Sequence, residues 1–168
     1  PALVCADAER LPLANASVEL VFSNLALQWC EPSRVFAEAA RTLTAEGLIL
    51  FSTFGPDTLR ELRAAFAEAD GAPHVNRFVD MHDLGDALVH AGFADPVMET
   101  ERITLEYDSV LAVARDLKAI GAVNSLPARA RGLPGRRRWQ RMTDAYERFR
   151  RDGVLPATWE IVYGHAWK

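Results

Sequence analysis

Two apolar runs, each closed by polar groups, constrain this chain most. The first, ALVCADAERLPL, begins apolar and stops at Asp7 and Pro12. The second, VELVFSNLALQW, is apolar on both faces around Val18, Leu20, Val21 and Phe22, then turns polar at Ser23 and Asn24. Near-continuous apolar runs of this length suit parallel strands covered by helices on both sides. Ligands of open α/β sheets gather beyond the carboxyl ends of the strands. Asp7 and Asn24 are therefore the first places to expect one.

The rest of the chain alternates in the same way. Pro32 suits a first helical turn, and Val35, Phe36, Ala39, Ala40 and Leu43 recur at helical spacing up to Gly47. GLILFSTF reads as a third buried strand. Pro56 and Asp57 open a helix with Leu59, Leu62, Phe66 and Ala69 on one face, broken at Gly71 and Pro73. Asp80 caps a helix carrying Leu84, Ala87, Leu88 and Ala91, which Gly92 closes. PVMETERITLEY alternates as a strand, and Asp108 caps a helix on Val110, Val113, Leu117 and Ile120. After a loop rich in Pro, Gly and Arg, Trp139, Met142, Tyr146 and Phe149 mark a last helix, and TWEIVYGHAW a last strand. Strand and helix in alternation imply a doubly wound α/β sheet. The 168 residues suffice for a single domain.

Charge and cysteines exclude several functions. With 19 Lys and Arg against 23 Asp and Glu, the net charge is −4, which argues against general nucleic-acid binding. No apolar run approaches the roughly 20 residues of a membrane helix. Two thiols in apolar settings, Cys5 and Cys30, fit a reducing cytoplasm better than a disulfide. His82, His90 and His165 share no ligand spacing with one another or with either cysteine, so no metal site is expected. There is no G-x-S-x-G and no G-x-G; the glycines read as helix stops and turns.

The Asp-Ala pair, the following Leu-Pro and the strand ending SNLALQW resemble the middle of a class I S-adenosylmethionine-dependent methyltransferase. SNLALQWC, FSTFGPDTLRELRAAF, PHVNRF and the closing YGHAWK together resemble the malonyl-acyl carrier protein O-methyltransferases of biotin synthesis. Their order and spacing cover nearly the whole chain. The resemblance implies a Rossmann-like three-layer α/β/α sheet with a reversed C-terminal strand. It places the start of this chain at about the third strand, so the first two strands, the glycine-rich loop and the acid that holds the ribose would lie upstream.

The same resemblance implies the cofactor S-adenosyl-L-methionine and assigns site residues. Asp7 would accept a hydrogen bond from the adenine amino group and Ala8 would meet the ring edge; otherwise Asp7 caps its own turn. Asn24 and Leu25 would lie under the sulfonium, Asn24 otherwise serving as a polar turn residue and Leu25 as core. Gln28, Trp29 and Phe54 would border the acceptor, with Gly55 and Thr58 on the same rim; Trp29 otherwise fills the core. His74 and Arg77 would position a carboxylate or tie a structural loop. Methyl transfer to an ionised carboxylate requires alignment rather than a strong base, so no catalytic triad is expected. The partner implied is acyl carrier protein bearing a malonyl thioester. Arg131, Arg136, Arg137 and Arg138 would steer it, or form a solvated face. FGPDTLREL also resembles an assembly factor of respiratory complex I thought to hydroxylate a protein arginine. A non-catalytic binding module is the remaining alternative.

Overall fold

The computed structural model describes residues 3–70, 72–122 and 135–168. The chain forms two units. One holds Pro1–Gly55, Phe78–Glu101 and Glu160–Lys168; the other holds Pro56–Arg77 and Arg102–Trp159.

The first unit is built on a mixed sheet. Strand β1 (Val18–Asn24) runs parallel to β2 (Leu43–Phe54), in register from Leu20 opposite Leu48 to Asn24 opposite Ser52. Strand β4 (Leu155–Trp167) runs antiparallel to β2, with Phe51 opposite Gly164, and β3 (Ala94–Tyr107) lies beyond it in the order β1-β2-β4-β3. The reversed final strand is thus as expected. Helices α1 (Pro32–Thr42) and α3 (Met81–His90) lend Phe36, Ala39, Leu84 and Leu88 to a core with Ile49, Phe51, Val162 and Ala166 of the sheet. Each large apolar side chain buried there contributes about 1.5–3 kcal/mol.

Only one sheet face is packed in this way. Side chains alternate along a strand, so the other face presents Leu20, Phe22, Leu50, Tyr163 and Trp167. These stay well exposed, Phe22 at 66% and Leu20 at 54%. The expectation of strands covered on both sides therefore holds for one side among the described residues.

Two further expectations are corrected. The run ahead of Asp7 is not a strand over residues 3–6; it has no ladder partner among the described residues, and Leu3 is 99% exposed. Helix α1 ends at Thr42, not Gly47: the Thr42 hydroxyl bonds back to the Glu38 carbonyl at 3.0 Å, and Leu43 is already extended. The irregular register between Val18 and Leu20 absorbs the residues up to Leu48.

In the second unit, α2 (Arg60–Ala69), α4 (Val110–Ala119) and α5 (Arg136–Glu147) bury Leu62, Ala65, Val113, Met142 and Tyr146 in one cluster. Helix α2 starts at Arg60 because Leu59 is left-handed at φ 53°. Ser109, not Asp108, caps α4, accepting from the Ala112 amide. Asp80 caps α3 as the sequence suggests, accepting from the His82 amide at 2.8 Å. The Tyr146 hydroxyl donates to the Pro156 carbonyl at 2.9 Å. Burial, then the charge of Glu61, pushes that phenol far above its ordinary value.

Candidate functional site

Asp7 sits in a tight turn rather than at a strand end. Its carbonyl accepts from the Arg10 amide at 3.0 Å, and its Oδ1 accepts from the Glu9 amide at 2.9 Å. Such a local side-chain bond is what an aspartate offers a turn. One carboxylate oxygen is left with no hydrogen bond among the described residues, and Asp7 and Ala8 are exposed.

The turn is pinned to helix α1 by charges that the sequence reading did not single out. Glu9 accepts from the Glu31 amide at 2.8 Å and pairs with Arg34 at 3.3 Å. Glu38 accepts from the Leu11 amide at 2.7 Å and takes a bidentate grip from Arg41, at 2.9 and 2.6 Å. Arg41 also donates to the carbonyls of Leu11 and Leu13 and to Asn15 Oδ1. Hydrogen bonding from Arg41 holds the Glu38 carboxyl below its usual range. Planar, two-pronged pairing of this kind is strong and directional. Glu38 and Arg41 lie three residues apart on a helix, a visible signal, but nothing local indicates that they reach a loop near residue 11. Burial, then Glu9 and Asp7, pushes the Cys30 thiol up, so it is a poor nucleophile.

A second polar set lies at the carboxyl end of β1. The Ser52 hydroxyl bonds Asn24 Oδ1 at 2.6 Å. The Leu25 amide donates to both the Ser52 carbonyl, at 3.0 Å, and its Oγ, at 3.2 Å. Leu25 is left-handed at φ 48°, a conformation costing a non-glycine residue about 1–2 kcal/mol. Gln28 helps hold it: its Nε2 donates to the Leu25 carbonyl at 2.5 Å, while its Oε1 faces the Thr53 hydroxyl at 3.4 Å. Gln28 therefore engages both ends of its carboxamide within the protein. Asn24 is exposed at this end of the strand, and Ser52 is buried. The sequence singled out Asn24, Leu25 and Gln28; it missed Ser52 and Thr53, whose part depends on register across two strands.

Trp29 belongs to a short 3-10 helix, Leu27–Trp29, and is 52% exposed, so it does not fill the core. Phe54 meets Phe78 edge-on at 5.6 Å.

In the second unit His74 and Arg138 meet through Asp70. The His74 ring stacks on Phe66 with centroids 3.8 Å apart, and its Nε2 lies 2.7 Å from Asp70 Oδ1. Arg138 Nη1 lies 3.0 Å from Asp70 Oδ2. Burial raises the Asp70 carboxyl, but the His74 bond, the Ala72 amide and the Arg138 charge together leave it lowered. The cluster ties the end of α2 to the start of α5, which is a structural use of both residues. Arg77 is exposed, as are Arg136 and Arg137; Arg131 lies outside the described residues. No group of three or more His, Cys, Asp or Glu that could hold a metal ion occurs among the described residues. No helix among them is long and apolar enough to cross a membrane.

Several known proteins share the sequence or the fold of this chain. The family described as "Methyltransferase domain" matches residues 1–51. A malonyl-[acyl-carrier protein] O-methyltransferase of Laribacter hongkongensis is 64% identical over 169 residues, covering 100% of this chain and 57% of that protein. The namesake of Gallionella capsiferriformans is 58% identical, covering 98% and 57%. This chain thus spans somewhat over half the length of the curated relatives it matches. Among solved structures, the Bacillus subtilis YcgJ protein aligns with a TM-score of 0.61 at 15% identity, over 97% of this chain and 69% of that one. The [4+2]-cyclase SpnF aligns at 0.51 and 18%, over 97% and 54%. The fold is therefore the Rossmann-like one of class I methyltransferases, and along its whole length the chain is similar in sequence to the malonyl-[acyl-carrier protein] O-methyltransferases.

Proposed function

We propose that the full-length protein transfers a methyl group from S-adenosyl-L-methionine to the free carboxyl of a malonyl-acyl carrier protein, in biotin synthesis. The 64% identity across the whole of this chain to a protein of that name carries the reading. The fold alone does not, since it also serves a cyclase.

The residues present fit the cofactor. Asp7 keeps a carboxylate oxygen available as an acceptor for an exocyclic amine, and the small side chain of Ala8 beside it lets a purine lie flat. Bound there, the cofactor supplies an electrophilic methyl on a sulfonium. Asp7 and Ala8 would hold its nucleoside, and the cofactor would supply that methyl to the acceptor carboxylate. A malonyl carboxylate is ionised at neutral pH, so this chain need only orient the reactants and exclude water. Asn24, Leu25 and Trp29 would line the rim on which the reactants are oriented.

Helix α5 supports a carrier-protein partner. Its first turn bears Arg136, Arg137 and Arg138, and it has no side-chain N-cap. Cations at a helix N-terminus oppose the macrodipole. Arg138 is compensated by Asp70, whereas Arg136 and Arg137 have no acidic partner among the described residues. Residues that break a local rule without local compensation are candidates for function. An acidic carrier with a phosphate on its arm is the partner such a surface attracts.

The test is calorimetry of the full-length protein with S-adenosylhomocysteine, followed by mass analysis of malonyl-loaded carrier protein. Saturable binding and a gain of one methyl ester are expected. Absence of binding refutes the cofactor, and binding without ester formation refutes the acceptor.

A further inference from the structure

The hydroxyl of Ser52 has one hydrogen, and its surroundings decide where that hydrogen goes. The Leu25 amide donates toward Oγ at 3.2 Å. The bond to Asn24 is 2.6 Å, a distance typical of O–H···O and short for N–H···O. Ser52 therefore accepts from Leu25 and donates to Asn24 Oδ1. The reverse orientation of the carboxamide would aim two N–H donors at one oxygen. It would also leave the hydroxyl hydrogen without an acceptor among the described residues. With its oxygen held, Asn24 keeps its two amide N–H groups for a ligand, and no partner for them occurs among the described residues.

An amide presenting N–H carries partial positive charge on that side. It suits a carboxylate and is a poor neighbour for a sulfonium. We propose that Asn24 recognises a ligand carboxylate through its amide N–H groups, and that Ser52 is the positioning residue that turns them outward. This rests on the reading of the site as one for S-adenosylmethionine and a malonyl thioester, each of which brings one carboxylate. Three features fix the geometry. Ser52 is 6% exposed, so its hydroxyl exchanges little with water. Strand register places it opposite Asn24. The left-handed turn at Leu25 carries the main chain away immediately afterwards.

The experiment uses the full-length protein carrying Ser52→Ala, Asn24→Ala, both together, and Ser52→Thr, which keeps the hydroxyl. Affinity is measured for S-adenosylhomocysteine and for methylthioadenosine, which has the nucleoside and thioether but no carboxylate. The KM for malonyl-loaded carrier protein is measured alongside.

If the cofactor supplies the carboxylate, Ser52→Ala weakens S-adenosylhomocysteine about tenfold, the worth of one hydrogen bond to a charged group. Methylthioadenosine is then unaffected. If the acceptor supplies it, the malonyl KM rises by a similar factor and both nucleosides bind as before. In either case Ser52→Ala has no further effect once Asn24 is alanine, and Ser52→Thr stays near wild type. The proposal is overturned if no affinity or KM changes. It is equally overturned by equal losses for the two nucleosides, or by the same loss in the Asn24→Ala background, which would mark a merely structural serine. A wild-type protein that binds no S-adenosylhomocysteine overturns the proposed function itself, and this inference with it.

Discussion

Gly164 sits in the middle of β4 directly opposite Phe51, and replacing it with alanine tests the packing of the sheet. A Cβ at this position would come 2.7 Å from Phe51 Cε1 and 2.8 Å from Met98 Sδ, nearer still to the tip of the ring. The ring cannot swing away, because Phe51 is 2% exposed and lies 5.2 Å from the Phe36 ring in the same core. Overpacking of this kind costs about 1–3 kcal/mol. Close contacts with two buried side chains put Gly164 at the upper end of that range, about 3 kcal/mol, and subtracting the roughly 0.5–1 kcal/mol by which alanine is favoured over glycine inside a strand leaves a net loss of about 2 kcal/mol. In a chain of this size that lowers Tm by about 4–8 °C. Urea unfolding measures it directly, and Phe51→Leu supplies the control. Leucine removes the ring atoms that the new methyl would meet, so Gly164→Ala should cost much less in that background. A Gly164→Ala protein within about 0.5 kcal/mol of wild type, below the cost of overpacking, would refute the reasoning. So would strict additivity of the two changes.

Further outcomes follow from the same geometry. Glu61 accepts from the Thr158 amide at 3.0 Å and its hydroxyl at 2.5 Å in a buried setting. Glu61→Leu should therefore destabilise by about 2–4 kcal/mol, whereas Glu61→Gln, which keeps one acceptor for the amide, should cost about half as much in the same unfolding assay. The carboxyls of Glu38 and Asp80 are lowered, Glu38 chiefly by its hydrogen bond from Arg41 and Asp80 by the His82 amide. A lowered folded-state value means stability fully present above the unfolded carboxyl range near pH 4 and lost as pH falls from there through the lower folded-state value. Acid titration of Glu38→Gln should accordingly show a shallower loss than wild type. Asp7→Ala should weaken S-adenosylhomocysteine by about 1–2 kcal/mol in calorimetry, the size of one lost hydrogen bond to a charged group, and unchanged affinity would move the purine elsewhere. Reversing Arg136 and Arg137 to Glu should raise the KM for the carrier-bound acceptor, increasingly so at low salt, and leave S-adenosylhomocysteine binding alone.

Much of the architecture was legible beforehand because it depends on local pattern. Apolar periodicity marked α1, α3, α4 and α5, and Asp80 capped α3 where its side chain and the following turn predict. Boundaries failed where a single backbone conformation decides them, as at Leu59, whose left-handed turn delays α2, and at Thr42, whose hydroxyl bonds back within the helix. Glycine was misread most. The glycines read as stops and turns, and even where Gly164 fell inside the strand run TWEIVYGHAW nothing local showed that a Phe51 ring occupies the space of its side chain.

The candidate site divides along the same line. Sequence determined which groups are available: an aspartate beside a small residue in a turn, and an Asn-Leu pair ending an apolar strand. Tertiary structure decided what those groups can still do. Ser52 reaches Asn24 only because parallel register sets the two strands side by side, and Glu38 and Arg41 hold the Asp7 turn across some thirty residues of chain. Hydrogen bonds are short and directional, so the atoms left over for a ligand become known only when distant partners have been brought within about 3 Å.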